Sequence, residues 1–299
     1  MLLPASAEQK GGMPDLSQEE QTCLPTSTAN LIIWFGQHGY PKLILPGATE
    51  DERELHTLHA LMTDTNARYD FGTRTDAVTS GIEKYIRDAG YGCDVEYRGL
   101  DFSMLKRTEI VKDYEGEKYR ESYRKPAAFT QDWLQDNADP NKGFILLLAY
   151  CNFNKGTNEF TDAISAGHAV TLVDAEPDAL LIHDPAHEEY AGRKIVTPFP
   201  LVGGILRLPG YNVPVAGLLL LSGSNLWAPR GAVPMLTGAV CITMHPQTEG
   251  GTVIASAGGG PTPTIGGTNA VAAPSVPSTP AKSSDASWAD WLFDLLFKK

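Results

Sequence analysis

Cys23 stands in the run Gln18-Glu19-Glu20-Gln21-Thr22-Cys23-Leu24-Pro25-Thr26-Ser27, directly ahead of an apolar stretch from Ala29 to Phe35. A thiol attacks as its thiolate, and free backbone N–H groups together with the positive end of a helix dipole favour that form. Pro25 suits the first turn of a helix, where its missing N–H has no intrahelical partner and its fixed φ already fits. The spacing therefore predicts a helix starting at or just after Cys23. A buried cysteine filling a core gap is the plainer alternative, but polar residues precede Cys23 and a helix start follows it.

A cysteine nucleophile needs a base and a group that orients the base, and these come from distant parts of the chain. Gly167-His168-Ala169-Val170-Thr171-Leu172-Val173 predicts a strand with His168 near its start. Leu180-Leu181-Ile182-His183-Asp184 predicts the next strand, ended by Pro185, which cannot donate to a sheet ladder. Glu176, Pro177 and Asp178 between them are turn formers, so the pair is expected to be an antiparallel hairpin. His168 and Asp184 then fall at one end, where the carboxylate binds one imidazole nitrogen and leaves the other for a thiol. Taken singly, His168 reads as a half-buried histidine and Asp184 as a turn residue before proline.

These segments together resemble the papain-like cysteine peptidases, in the branch of the bacteriocin-processing, double-glycine leader peptidases and their stand-alone relatives. The likeness spans roughly residues 16 to 196, in the order Cys, His, Asp. It implies Cys23 as nucleophile, His168 as general base and acid, and Asp184 as the residue orienting the histidine. Gln18, five residues ahead of Cys23, is implied as the side-chain donor of the oxyanion hole beside the Cys23 backbone N–H. Gln21 stands too close to curl its amide back over the sulfur. Relatives usually carry Gly directly after the nucleophile. Leu24 stands there in this chain, and its side chain is expected near the substrate cleft. Gly11-Gly12 is similar to the cleavage signal of that branch.

Several elements must position these residues. Helices are predicted over Pro25 to Gln37, over Glu50 to Asp64 with Leu55, Leu58, Leu61 and Met62 at helical spacing, and over Arg74 to Ala89 with Val78, Ile82, Tyr85 and Ile86. Phe129 to Asn137 predicts a further helix. Strands are predicted at Asp94 to Arg98, Phe144 to Cys151, Ala169 to Val173, Leu180 to Ile182, Lys194 to Pro198, Gly204 to Leu208, Leu218 to Leu221 and Thr237 to Met244. Residues 39 to 49 and 152 to 166 are expected to be loops. The expected fold class is α+β and papain-like, with a helical N-terminal half carrying the nucleophile helix and packed on an antiparallel sheet.

The expected organisation is a flexible start over residues 1–13 and a catalytic domain over 14–245, then a low-complexity linker over 246–285 and an amphipathic helix over 286–299. In that last segment Trp288, Trp291, Leu292, Leu295 and Leu296 recur at i, i+3, i+4, i+7 and i+8. It is expected to dock on a partner, lie on a membrane surface or fold back on the domain, and a tether of this kind favours an extracytoplasmic or cell-associated setting. Apolar runs fall short of the roughly 20 residues needed to span a bilayer.

The net charge of −12 and the lack of a Lys/Arg stripe argue against nucleic acid as a partner. A peptide or protein is the expected substrate. The four cysteines, Cys23, Cys93, Cys151 and Cys241, are widely spaced, so no structural zinc site or disulfide framework is expected. His56 with His59, and His183 with His187, lack further ligands at metal spacing, and no cofactor is expected. The expected function is peptide-bond hydrolysis through Cys23, His168, Asp184 and Gln18. The alternatives are a catalytically weak binding module and a thiol-dependent transpeptidase or transamidase.

Overall fold

The computed structural model describes residues 9–253 except 19–20, 68–74, 100–108, 114–117, 123–129, 155, 187–191, 209–210, 224–225, 227, 229–231, 247 and 250–251. The expected terminal helix and most of the expected linker lie outside the described residues. Three helices come first: α1 (Cys23–Gln37), α2 (Glu50–Asp64) and α3 (Thr75–Asp88), with a 3-10 turn at Pro41–Leu43 between the first two. Strands β1 (Cys93–Gly99), β2 (Glu109–Asp113) and β3 (Lys118–Ser122) follow, then the short α4 (Gln131–Leu134), continued by a 3-10 turn. The remaining strands are β4 (Lys142–Asn154), β5 (Glu159–Ala175), β6 (Leu180–Asp184), β7 (Gly192–Pro200), β8 (Ile205–Leu208), β9 (Tyr211–Pro214), β10 (Leu219–Ser222), β11 (Val233–Met244), β12 (Thr248–Glu249) and β13 (Thr252–Val253).

The sheet closes on itself. β4 pairs with β5, β5 with β6, β6 with β7, β7 with β10, β10 with β11, and β11 returns to β4, all antiparallel. This six-stranded barrel overturns the expected papain-like α+β fold of helices packed on an open antiparallel sheet. The physical reason lies in the long strands. β4, β5 and β11 carry irregularities between Ala149 and Cys151, Leu172 and Asp174, and Leu236 and Gly238. Bulges of this kind bend and coil a strand until its sheet can close. β11 pairs with β10 through Met235 and Leu236 and with β1 from Gly238 to Met244. β5 pairs with β6 near its C-terminal end and with β8, in parallel, at its N-terminal end.

Alternation along the strands helps make the two larger of three apolar clusters among the described residues; the smallest holds Phe160, Leu206 and Met235. Phe144, Leu146, Val170, Ile182, Leu219 and Leu236 belong to the cluster that fills the barrel, with Trp133 and Leu134 of α4 packed against it. Ile145, Ala169, Val173, Leu181, Val240 and Ile242 belong to a second cluster shared with the helices. Strands buried on both faces read as continuous apolar runs, as in β4, β6 and β11. α1 is buried from Leu24 to Gly36 because β4 and β5, α2 and the segment ahead of it enclose it. Residues 9–13, within the expected flexible start, are packed on the domain. Lys10 is fully buried, donates from Nζ to the carbonyls of Asn137 and Asp139 at 2.8 Å each, and lies 4.5 Å from the Trp34 ring centre. Burial lowers the Lys10 amine to about 8. Among the described residues no helix is long and apolar enough to cross a membrane.

Ile182 is fully buried in the barrel cluster two residues before Asp184. Ile182→Val is expected to lower stability by about 1 kcal/mol, the cost of one buried methylene and its small cavity. A chemical denaturation midpoint measures this, and unchanged Cys23 reactivity in the same variant makes it a control for substitutions at the site.

Candidate functional site

α1 begins at Cys23 itself. Its N-cap, Thr22, makes no side-chain capping bond, and Thr26 N–H donates to the Thr22 carbonyl at 2.9 Å. Side chains at i and i+4 share a helix face, so Ser27 lies below Cys23. Ser27 Oγ donates to the Ala169 carbonyl and Thr171 Oγ1 donates to the Ser27 carbonyl, both at 2.9 Å. These two bonds fasten the first turns of α1 to β5 on either side of Val170. They fix the half-buried Cys23 relative to His168, the residue just before Ala169.

His168 is mid-strand rather than near the strand start, because β5 begins at Glu159, within the expected loop over 152–166. Its neighbour across β4 is Leu148. Asp184 closes β6 as expected. The Glu176 N–H donates to the Ala179 carbonyl at 2.8 Å, turning β5 into β6. His168 Nε2 meets Asp184 Oδ1 at 2.6 Å, with both residues buried, and the Ala186 N–H donates to the same oxygen at 3.0 Å. Cys23 lies near enough to His168 to raise the pKa of its imidazole. Since Nε2 serves Asp184, Nδ1 is the nitrogen left for the sulfur. Burial is the largest single influence on His168 and lowers its pKa. The bonds and charges of Asp184 and Cys23 together outweigh it, so the imidazole is pushed up to about 10. That direction favours the imidazolium at neutral pH.

Gln18 sits beside the end of β6. Its N–H donates to the Pro185 carbonyl at 2.7 Å, and the Leu16 N–H donates to Asn30 Oδ1 at 3.0 Å. The side-chain oxygens of Gln18 and Gln21 are both buried without a hydrogen-bond partner among the described residues. Gln21 takes φ of 58°, the left-handed region, immediately before the helix. Leu24 is buried in the core shared with the helices. Gly11 accepts from Trp34 Nε1 at 3.1 Å. Trp34 is three turns along α1 from Cys23, about 16 Å at the helical rise, so the Gly11-Gly12 pair is held away from the thiol.

Several neighbours were not found from the sequence. Tyr150 is fully buried with its ring 6.5 Å from that of His168. Burial and the nearby Asp184 and Cys23 raise its hydroxyl well above the usual range. Lys194 of β7 is buried with Nζ 3.8 Å from Asp184 Oδ2. Cys93, Cys151 and Cys241 are buried thiols outside any disulfide among the described residues. Burial pushes Cys93 up to about 12 and Cys241 to about 11. His56 and His59 lie on the exposed side of α2, His183 Nδ1 donates to the Pro14 carbonyl at 2.9 Å, and His187 lies outside the described residues. Among the described residues no group of three or more His, Cys, Asp or Glu is arranged to hold a metal ion.

The arrangement can hold a proton on His168 next to a thiol, with a carboxylate fixing the ring from behind. No protein-family model and no curated protein matches this chain.

Proposed function

We propose that the chain is a cysteine peptidase in which Cys23 is the nucleophile, His168 the general acid and base, and Asp184 the residue that orients the imidazole. The observation that carries this reading is the buried His168–Asp184 bond of 2.6 Å with Cys23 beside the same imidazole, built from α1, β5 and β6. The Cys23 thiolate attacks the peptide carbonyl carbon, and the carbonyl π electrons move onto oxygen. The Cys23 backbone N–H and the Gln18 side chain are the donors assigned to that oxyanion. The tetrahedral intermediate collapses, the C–N bond breaks, and His168 gives its proton to the leaving amine. Water, deprotonated by His168, then attacks the thioester and releases the carboxylate product and the thiolate.

Iodoacetamide at neutral pH tests the reading directly. Cys23 is expected to alkylate at least tenfold faster than Cys93, Cys151 or Cys241, as read by peptide mass spectrometry of the intact protein after timed quenching. The three other thiols are buried, and burial raises the cost of forming the thiolate. Equal rates at all four cysteines would remove the nucleophile and the peptidase reading with it. Where hydrolysis is seen, a labelled amine in the reaction separates release to water from transfer to an amine.

A further inference from the structure

β7 buries a residue that a strand built for stability alone would expose. Lys194 is 7% exposed, whereas its neighbour Ile195 is 67% exposed. Lys194, Val196 and Pro198 face inward and Ile195, Thr197 and Phe199 face outward. A slip of one residue would bury two large apolar side chains and free the lysine. The register instead pairs Ile182 with Lys194 and Asp184 with Gly192. It holds Lys194 Nζ 3.8 Å from Asp184 Oδ2, an oxygen with no hydrogen-bond partner among the described residues. Asp184 Oδ1, the other oxygen, accepts from His168 and Ala186. One carboxylate thus lies between two cations. A buried lysine is costly unless its charge has a counterpart.

The other titratable groups around this pair come from α1, β4, β6, β7 and the N-terminal segment. Cys23 reaches His168 from α1 and Tyr150 approaches it from β4. Asp15, on the N-terminal segment, interacts with Lys194 and Asp184. His183, on the opposite face of β6, stands 4.0 Å from Asp15. Arg193 is exposed and offers Asp15 its backbone N–H.

We propose that Lys194 is a positioning residue that shares the Asp184 carboxylate with His168 and so sets the pH at which His168 gives up its proton beside Cys23. With Asp184 serving the imidazolium alone, the proton would be held more tightly still, further from the range in which His168 can act as an acid and then a base. The lysine charge, on the far side of the same carboxylate, weakens that hold and repels the imidazolium. This assignment rests on the proposed thiol chemistry only for its alkylation readout.

The test uses the full chain and follows two signals against pH: the imidazole resonances of His168 by NMR, and the rate of Cys23 alkylation by iodoacetamide. Lys194→Met is expected to move the His168 titration upward by about one pH unit, as removal of a unit charge several ångströms away in a partly desolvated site requires. Lys194→Arg, which keeps the charge, is expected to leave the midpoint within a few tenths of a unit. Lys194→Gln provides a second neutral side chain in case the Met form fails to fold. A folded neutral variant whose His168 midpoint matches that of the wild type overturns the proposal, because a merely structural lysine would lower stability without moving the titration. Unselective alkylation of Cys23 in the wild type would sink the peptidase reading, while the NMR shift would still decide the role of Lys194.

Discussion

His168→Gln is expected to lower both kcat/KM for peptide hydrolysis and the rate of Cys23 alkylation at pH 7, the former by about 10³-fold. Positioned acid and base catalysis contributes roughly 10² to 10⁴, and in this site one side chain serves as both. Glutamine approximates the volume of the imidazole and can still donate to Asp184 Oδ1, so the barrel end stays packed. It cannot carry a proton to the leaving amine or present a positive charge to the sulfur. The wild-type rate is also expected to fall as pH rises toward about 10, where His168 loses its proton. That inflection belongs to the coupled Cys23 and His168 pair rather than to either residue. The Ile182→Val control separates chemistry from stability. A His168→Gln enzyme that retains activity within tenfold of the wild type, with alkylation unchanged, would remove His168 from the mechanism.

The candidate site was more legible in the sequence than the fold that carries it. Cys23 announced itself through Pro25 and the apolar run behind it, and α1 begins there. Asp184 before Pro185 marked a strand end. α2 runs from Glu50 to Asp64, the span expected from its leucine spacing and acidic first turn. Barrel closure has no comparable local sign, because it depends on where long strands bend and which partners they exchange. The N-terminal half of β5 passes through Thr161-Asp162-Ala163-Ile164-Ser165-Ala166-Gly167, which lacks an apolar alternation, so the strand was expected to start only near Gly167. Lys194 was hidden for a related reason. Alternation along Arg193-Lys194-Ile195-Val196 gives Ile195 and Val196 equal claims to the interior, and only pairing with β6 decides that Val196 and Lys194 turn inward. Ser27 and Thr171 look like ordinary polar residues until α1 is laid across β5.

Asp184→Ala is expected to destabilise the protein by about 3–5 kcal/mol, because it removes the carboxylate bonded to the buried His168 and takes from Lys194 the carboxylate oxygen 3.8 Å from its Nζ. Breaking a buried pair on one side costs this much since the remaining charge keeps its desolvation penalty and loses the carboxylate that offset it. The pH dependence gives the loss a second signature. In the wild type the folded His168 pKa, about 10, lies above the ordinary histidine value of 6.5. Its contribution to stability is therefore fully present below about 6.5 and is lost as pH rises through 10. Without Asp184 the foremost cause raising that pKa is gone, while burial, which lowers it, remains. The stability lost by wild type on going from pH 6.5 to pH 10 is then expected to shrink in Asp184→Ala. Denaturation midpoints at pH 6, 8 and 10 for the two proteins measure this. Parallel pH slopes would mean that Asp184 does not hold the proton on His168, and the carboxylate would then be a packing residue at the end of β6.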